Sequence, residues 1–423
     1  MSKIILFLFV IIYIKGTDIN IDLTDASLAS GTGFTIEDKT LTITQDGTYS
    51  ISGYSENIDS IIVSSPKATL NFNDVQITSN RAKPPLTISR NSEVILNLYT
   101  RNILIGSNQN EKNGVLYMES NSKLTLKCDF SSDIGNALVL TPFKGMGIYG
   151  EESTNLIIES NLQINPDSQG ENIGGIYIGN DIIINEGDIL DNILLTQEIN
   201  PSIKAGGSII IKKGLFSFHS IQAGNSIILG EKGESSPFDE ESEEEYGEES
   251  FGIELHSKFE GIKANTIEIY SGKIELFTEK ESISSNGDII ITGGAFLMYS
   301  ETSSPFKKNG KLKIENAFIS SYGQNCIGKG IETNQLAVSY YGKINSGQTI
   351  TVFSSELGGE IISENVQKGY NYFFYHFPFP KAKYKILIDG KEVSPNNSCD
   401  GFGNSSSFLT LSYLFLIIFM ILL

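Results

Sequence analysis

At 423 residues, with 40% hydrophobic residues, 41 glycines and 11 prolines, the chain has the composition of a long, ordered protein rather than a disordered one. Its net charge of −19, with no stretch that interleaves Lys or Arg with aromatics, excludes nucleic acid as a partner. The three cysteines, Cys128, Cys326 and Cys399, are too few for a disulfide framework and read as unpaired thiols on distant rungs.

The chain opens with MSKIILFLFVIIYIKG, which has one early lysine, an apolar run from Ile4 to Ile14 and a small residue, Gly16, at its exit. An apolar run this short at the extreme N-terminus reads as a signal peptide over 1–16, with a buried N-terminal strand as the alternative. From residue 18 to about 100 short alternating runs follow, among them TLTITQDGTYSISG, KATLNFNDVQITSN and SEVILNLYT. Each predicts a half-buried strand of four to seven residues between Gly, Asn, Ser and Pro clusters. Leu70, Phe72, Val75 and Ile77 cannot keep one alternation, so Asn73-Asp74 is expected to be a corner.

A repeated phrase takes over near residue 175. GIYIGN, SIKAGG, SIQAGN, GIKANT, SISSNG, PFKKNG and CIGKGI are anchored at Ile176, Ile203, Ile221, Ile262, Ile283, Phe306 and Ile327. The intervals are 27, 18, 41, 21, 23 and 21 residues, and the outlier contains a 20-residue acidic run over 231–250. Strand signals alone at this period predict an all-β coil of stacked parallel strands, three to a rung, over 18–347. Ile203, Ile221, Ile262, Ile283 and Phe306 are expected to stack in one inward column. Gly207, Gly287 and Gly294 are expected to supply open dihedrals at corners. The acidic run reads as a solvated insertion at one corner, with loose Ca²⁺ binding or repulsion of anionic glycans as alternatives.

Over 348–395 the repeat is lost, and Tyr370, Tyr372, Phe373, Phe374, Tyr375, Phe377 and Phe379 crowd together. Open coil ends need covering, so this segment predicts an antiparallel β cap; an aromatic platform for sugars is the alternative. A polar spacer over 396–407 then leads to an uncharged apolar tail, Phe408 to Leu423. Small triplet, spacer and terminal tail make a glycosylphosphatidylinositol signal, with attachment at Asn397 and Ser398 or Asn404 as alternatives. A tail-anchored helix is the competing reading, although no Lys or Arg follows the tail. The two N-x-[ST] sequons, Asn396 and Asn404, fall at the same boundary and are weak glycosylation candidates. Together the two ends place the mature protein at the extracellular face of the plasma membrane, as a monomer held by a lipid.

Candidate catalytic residues are scarce. His219, His256 and His376 lie far apart in sequence, no Asp-Asp pair occurs, and Arg81, Arg90 and Arg101 all precede the regular repeats. No nucleophile, zinc, P-loop or dinucleotide motif is present, so no catalytic residue is assigned and the protein is expected not to be an enzyme.

Gly47-Thr48-Tyr49-Ser50-Ile51-Ser52-Gly53, together with EGIKANTIEIYSGKIEL and ESISSNGDIIITGGAFLMYS, resembles a known family. Its members are secreted, calcium-dependent carbohydrate-binding proteins with a right-handed parallel β-helix, similar in shape to pectate lyases. The resemblance covers roughly residues 40–355. It implies a non-catalytic polysaccharide-binding protein, assisted by Ca²⁺ held where the family places Asp before Gly-Ile. This chain carries Glu260 before Gly261-Ile262, and Glu281-Ser282-Ile283 in place of Asp-Gly-Ile, which makes Glu260 and Glu281 the metal candidates. Solvated turn carboxylates are the plain alternative. A structural coat or adhesion protein without glycan affinity, and an atypical polysaccharide lyase or hydrolase, remain as other functional classes.

Overall fold

The computed structural model describes residues 19–394, apart from 26–30, 56–57, 108, 110–113, 129–137, 166–170, 192–201 and 234–250. The expected signal peptide, most of the acidic run, the apolar tail and the candidates Asn396, Asn397, Ser398 and Asn404 lie outside the described residues. Every regular element among the described residues is a strand.

Most strand pairs are parallel, and in the regular region each strand pairs with the third one along the chain. One ladder of twelve strands runs from Phe34–Glu37 to Phe306–Lys308 and carries the repeat anchors. Its register sets Ile176, Ile203, Ile221, Ile262, Ile283 and Phe306 side by side, all at most 1% exposed. Ile221 and Ile262 are direct neighbours despite the acidic run between them, so that run leaves the ladder intact. A second ladder passes through Ile209–Ile211, Ser226–Leu229, Thr266–Ile269, Ile289–Ile291 and Leu312–Ile314. A third passes through Leu215–Phe218, Gly252–Ser257, Lys273–Thr278, Ala295–Ser300 and Phe318–Gly323. The inward residues of all three ladders form one continuous apolar core. With about 4.8 Å between parallel neighbours, like side chains meet like, so a column of Ile packs without voids.

Leu70, Phe72, Val75 and Ile77 are all buried, and the phase slips at Asn73 and Asp74, where Asp74 takes φ +57°. The expected corner is therefore a kink within one long strand, Lys67–Thr78. The glycines divide into two kinds. Gly294 has φ +93°, as expected of a corner residue, whereas Gly207 and Gly287 do not adopt positive φ. At those two positions a Cβ would lie 2.3 Å from Asp181 Oδ1 and 2.8 Å from the Asn265 carbonyl, so close approach between rungs is what demands glycine. Gly224 shows the same constraint more strongly, since a Cβ there would meet the Gly206 carbonyl at 2.0 Å.

The repeat stops earlier than its sequence phrase does. Ile327 is buried, but no strand forms around it and the anchor ladder ends at Phe306–Lys308. The antiparallel cap begins before residue 348, because Phe318–Gly323 and Gln335–Ile344 both pair antiparallel with Tyr370–Pro380, one on each side; at the other end of the coil Phe34–Glu37 and Thr40–Ile43 also pair antiparallel. Tyr370, Tyr372, Phe373, Phe374, Tyr375 and Phe377 are at most 4% exposed and only Phe379 projects, so the aromatic cluster is core and not a platform for sugars. Glu364 ties this cap to the coil: its carboxylate accepts from Ser320 Oγ at 3.1 Å, Tyr375 OH at 3.3 Å and Tyr299 OH at 3.5 Å.

The cysteines depart from expectation. Cys128 is half-buried against the core, but Cys326, expected to be an unpaired thiol, is disulfide-bonded.

Candidate functional site

Near the N-terminal end of the coil the outward face is polar rather than apolar. Strands Ile19–Asp22, Gly47–Ser55, Lys67–Thr78 and Glu93–Leu98 lie side by side in parallel, and their inward positions are filled by Ile21, Ile51, Phe72 and Leu98. Alternation then turns the residues just before these outward, so Asn20, Ser50, Asn71 and Asn97 share one row. Asn97 Nδ2 donates to Asn71 Oδ1 at 2.8 Å, and Asn71 Nδ2 reaches Ser50 Oγ at 3.4 Å. The row continues through Lys127, which pairs with Glu159 at 3.0 Å, while Asn185 Nδ2 donates to Glu159 at 2.8 Å. Burial pushes the Glu159 carboxyl up, but the Asn185 amide and the Lys127 ammonium outweigh it and hold the group below the usual carboxylate range.

A second row runs beside the first, with Asp22, Ser52 and Asn73 in register. Tyr99 follows Leu98, the partner of Phe72; its N–H donates to the Phe72 carbonyl at 3.0 Å and its side chain is exposed. Between the rows opens a cleft of about 310 Å³, lined by Asn20, Asp22, Asp25, Ser50, Ser52 and Asn73. Asp22 is held by its own turn, accepting from the Thr24 N–H at 2.9 Å. Tethered amides and hydroxyls at about strand spacing can pair with successive hydroxyls of an extended sugar chain, and an exposed tyrosine beside them can cover a ring face.

Two further aromatic ladders are less suited to that task. Tyr117, Tyr149 and Tyr177 stack at 6.0 and 5.2 Å, and His256, Phe277, Tyr299 and Tyr322 at 4.8, 5.4 and 5.2 Å. Rings stacked along the coil cover each other's faces, so only their edges meet solvent.

The metal candidates Glu260 and Glu281 do come together, on adjacent rungs joined by the Gly261 N–H to the Glu281 carbonyl at 3.1 Å. Each carboxylate is nevertheless occupied: Glu260 by Lys263 at 3.3 Å, and Glu281 by Lys307 at 3.7 Å and Ser303 Oγ at 3.0 Å. Ca²⁺ takes six to eight oxygens, and among the described residues no group of three or more Asp, Glu, His or Cys side chains is placed to share an ion. Lysine-neutralised carboxylates do not fit a Ca²⁺ site as arranged.

The histidines divide similarly. His219 and His256 are adjacent along the ladder by register, although 37 residues separate them in sequence, and burial first and His256 second push His219 below its ordinary value. His256 pairs with Glu254 at 2.7 Å, and His376 is buried in the cap. None of the three lines the cleft.

No curated protein and no solved structure matches this chain. The family model described as carbohydrate-binding domain-containing protein matches residues 37–304, more than half of the chain and most of the parallel coil. The chain therefore belongs to the family of carbohydrate-binding domain-containing proteins.

Proposed function

We propose that this is a non-catalytic polysaccharide-binding protein of the cell surface, built on a right-handed parallel β-helix with three strands per turn, that holds glycan along the polar rows of its N-terminal rungs. The carrying observation is the cleft and its flanking row from Asn20 to Asn97, presented on an open sheet face. A right-handed crossover is the strong preference of parallel strands, which supports that hand. No histidine and no arginine lines the cleft, which supports binding over hydrolysis or elimination. A glycan array on the intact protein tests the reading. Asn97→Ala and Tyr99→Ala are each expected to weaken the captured glycan about tenfold while leaving the melting temperature within a few degrees. Unchanged affinity in both variants would move the site elsewhere, and an array with no captured glycan would favour the coat or adhesion reading.

Display at the surface is part of the same proposal: a signal peptide over 1–16 and a lipid anchor that replaces the chain beyond its attachment residue, the apolar tail 408–423 included. Attachment is to be sought at Asn397, with Ser398 and Asn404 as the alternatives. Cys326 is disulfide-bonded, and Cys399 lies between Asn397 and Asn404. Cleavage after Asn397 would discard Cys399, whereas cleavage after Asn404 would keep it. Phosphatidylinositol-specific phospholipase is expected to release the protein from cells, and removal of residues 408–423 to send it into the medium. Peptides from 408–423 on the surface-exposed form would exclude the lipid anchor in favour of a membrane helix.

A further inference from the structure

One end of the cap carries an apolar surface that glycan binding does not use. Phe353 and Leu357, each 38% exposed, and Phe379, 44% exposed, stand there in water. Val352 and Ser354 are buried in the cap, so alternation turns Phe353 outward, opposite Lys385 on the neighbouring strand. The strand then turns through Leu357 into Gly359–Asn365. The segment that follows Phe379 is tied to that turn, because the Lys383 N–H donates to Glu356 Oε2 at 2.9 Å. Phe379 is itself positioned by Phe377, their rings near-parallel and 6.2 Å apart. Lysines border the patch: Lys381, Lys383 and Lys385 are all exposed. Lys385 pairs with Glu392 at 2.9 Å, whereas Lys381 and Lys383 enter no ion pair among the described residues. Glu356 and Glu360 lie on the facing turn, but between Glu364 and Asp389 the chain has four lysines and no acid, against −19 for the whole.

The chain leaves the described fold at this same end. Strand Lys391–Val393 doubles back along Lys385–Ile388 with Val393 opposite Ile386, so the next residues depart beside Lys385. The apolar tail begins at Phe408. At about 3.5 Å per residue, lipid lies about 10 Å from the cap if attachment is at Asn397, and within about 50 Å if the tail itself enters the bilayer. Tethering on this scale makes a second contact intramolecular, so a patch of three side chains can be held where it would not dock alone. Aromatic rings settle at the depth of lipid headgroups, and lysines beside them extend to the phosphates. We propose that this end of the cap rests on the phospholipid surface, with Phe353, Leu357 and Phe379 in the interface and Lys381 and Lys383 on lipid phosphates. The inference rests on the surface-display reading, in either of its forms, and not on the glycan site.

The chain has no tryptophan, so Phe379→Trp introduces a single fluorescent reporter. The full chain carrying it is reconstituted through its tail into vesicles of equal parts phosphatidylcholine and phosphatidylserine, with and without acyl chains brominated near the headgroup. The reporter is expected to shift to shorter wavelength on the vesicles and to be quenched about twofold by the brominated lipid. Phe259→Trp, at a coil position 43% exposed, is the control expected to stay unquenched. Leu357→Trp serves as a second reporter should the first variant misfold. Lys381→Glu with Lys383→Glu, made in the Phe379→Trp chain, should leave the tail inserted but remove about half of the quenching. Undiminished quenching in that chain overturns the phosphate pairing. A vesicle-bound chain unquenched at both 379 and 357 overturns the lipid contact and leaves surface display standing. A full chain that does not enter the vesicles overturns display and the contact together. A shift that appears without lipid and grows with protein concentration assigns the face to a second copy of the chain, which also overturns the lipid contact.

Discussion

Ile262→Asp is expected to cost on the order of 3–5 kcal/mol and to disrupt the coil around it. Ile262 is fully buried between Ile221 and Ile283, its register neighbours on the adjoining rungs. A carboxylate there has no cation or donor in the column, and water cannot reach it. Native proteins carry only about 5–15 kcal/mol of net stability, so this single change takes a large share. In a stacked coil the loss falls on nearest-neighbour contacts, so the rungs on either side of Ile262 would lose their coupling. Urea unfolding followed by circular dichroism measures the effect, with Ile262→Val as the control expected to lose about 1 kcal/mol. A midpoint for the aspartate variant close to that of the valine variant would show that the column is not the spine of the fold.

That column was also the most legible part of the sequence, for a physical reason. When like residues must stack at one position of every rung, the chain repeats a type at a nearly fixed interval, and an insertion at a corner shifts the interval without disturbing the stack. The polar face was hidden because no interval repeats among the N-terminal rungs. Its only trace was a small polar residue before an inward one, in Ser50-Ile51, Asn71-Phe72 and Asn97-Leu98. Pairing register, which local pattern cannot supply, is what brings those residues into a row. Likewise Gly207 and Gly287 looked like turn glycines, yet what excludes a side chain there is an atom on the rung below. The cap aromatics were visible as a cluster, but burial of Phe373 and Phe374 depends on strands Gln335–Ile344 and Phe318–Gly323 closing over them. Ile327 shows the converse, since a repeat phrase survives in sequence after the ladder has ended.

The cap should also make the protein sensitive to acid, through His376. This side chain is fully buried on the cap strand, with Nδ1 2.7 Å from the Ala317 carbonyl and Nε2 2.8 Å from Thr333 Oγ1. A carbonyl can only accept, so Nδ1 carries the proton and the neutral ring receives the Thr333 hydroxyl at Nε2. Burial pushes the imidazole down to about 4, against a smaller upward pull from the Ala317 hydrogen bond. In the unfolded chain the same ring titrates near its ordinary value of 6.5. Between those two values the unfolded state binds the extra proton, so stability falls as pH drops through about 6.5 and the loss is complete below about 4. The difference corresponds to about 3 kcal/mol at most, none of which is lost above neutrality. His376→Gln keeps a donor and an acceptor but cannot titrate in this range. Chemical denaturation from pH 7.5 down to pH 4, run on both proteins, is therefore expected to show about 3 kcal/mol more loss in the wild type. Exposed carboxylates such as Asp46, held low first by the Ser65 hydroxyl and then by the Lys67 N–H, titrate alike in both and cancel in that comparison. Parallel stability profiles for the two proteins would mean that His376 can be protonated in the folded cap, and that acid acts on the coil elsewhere.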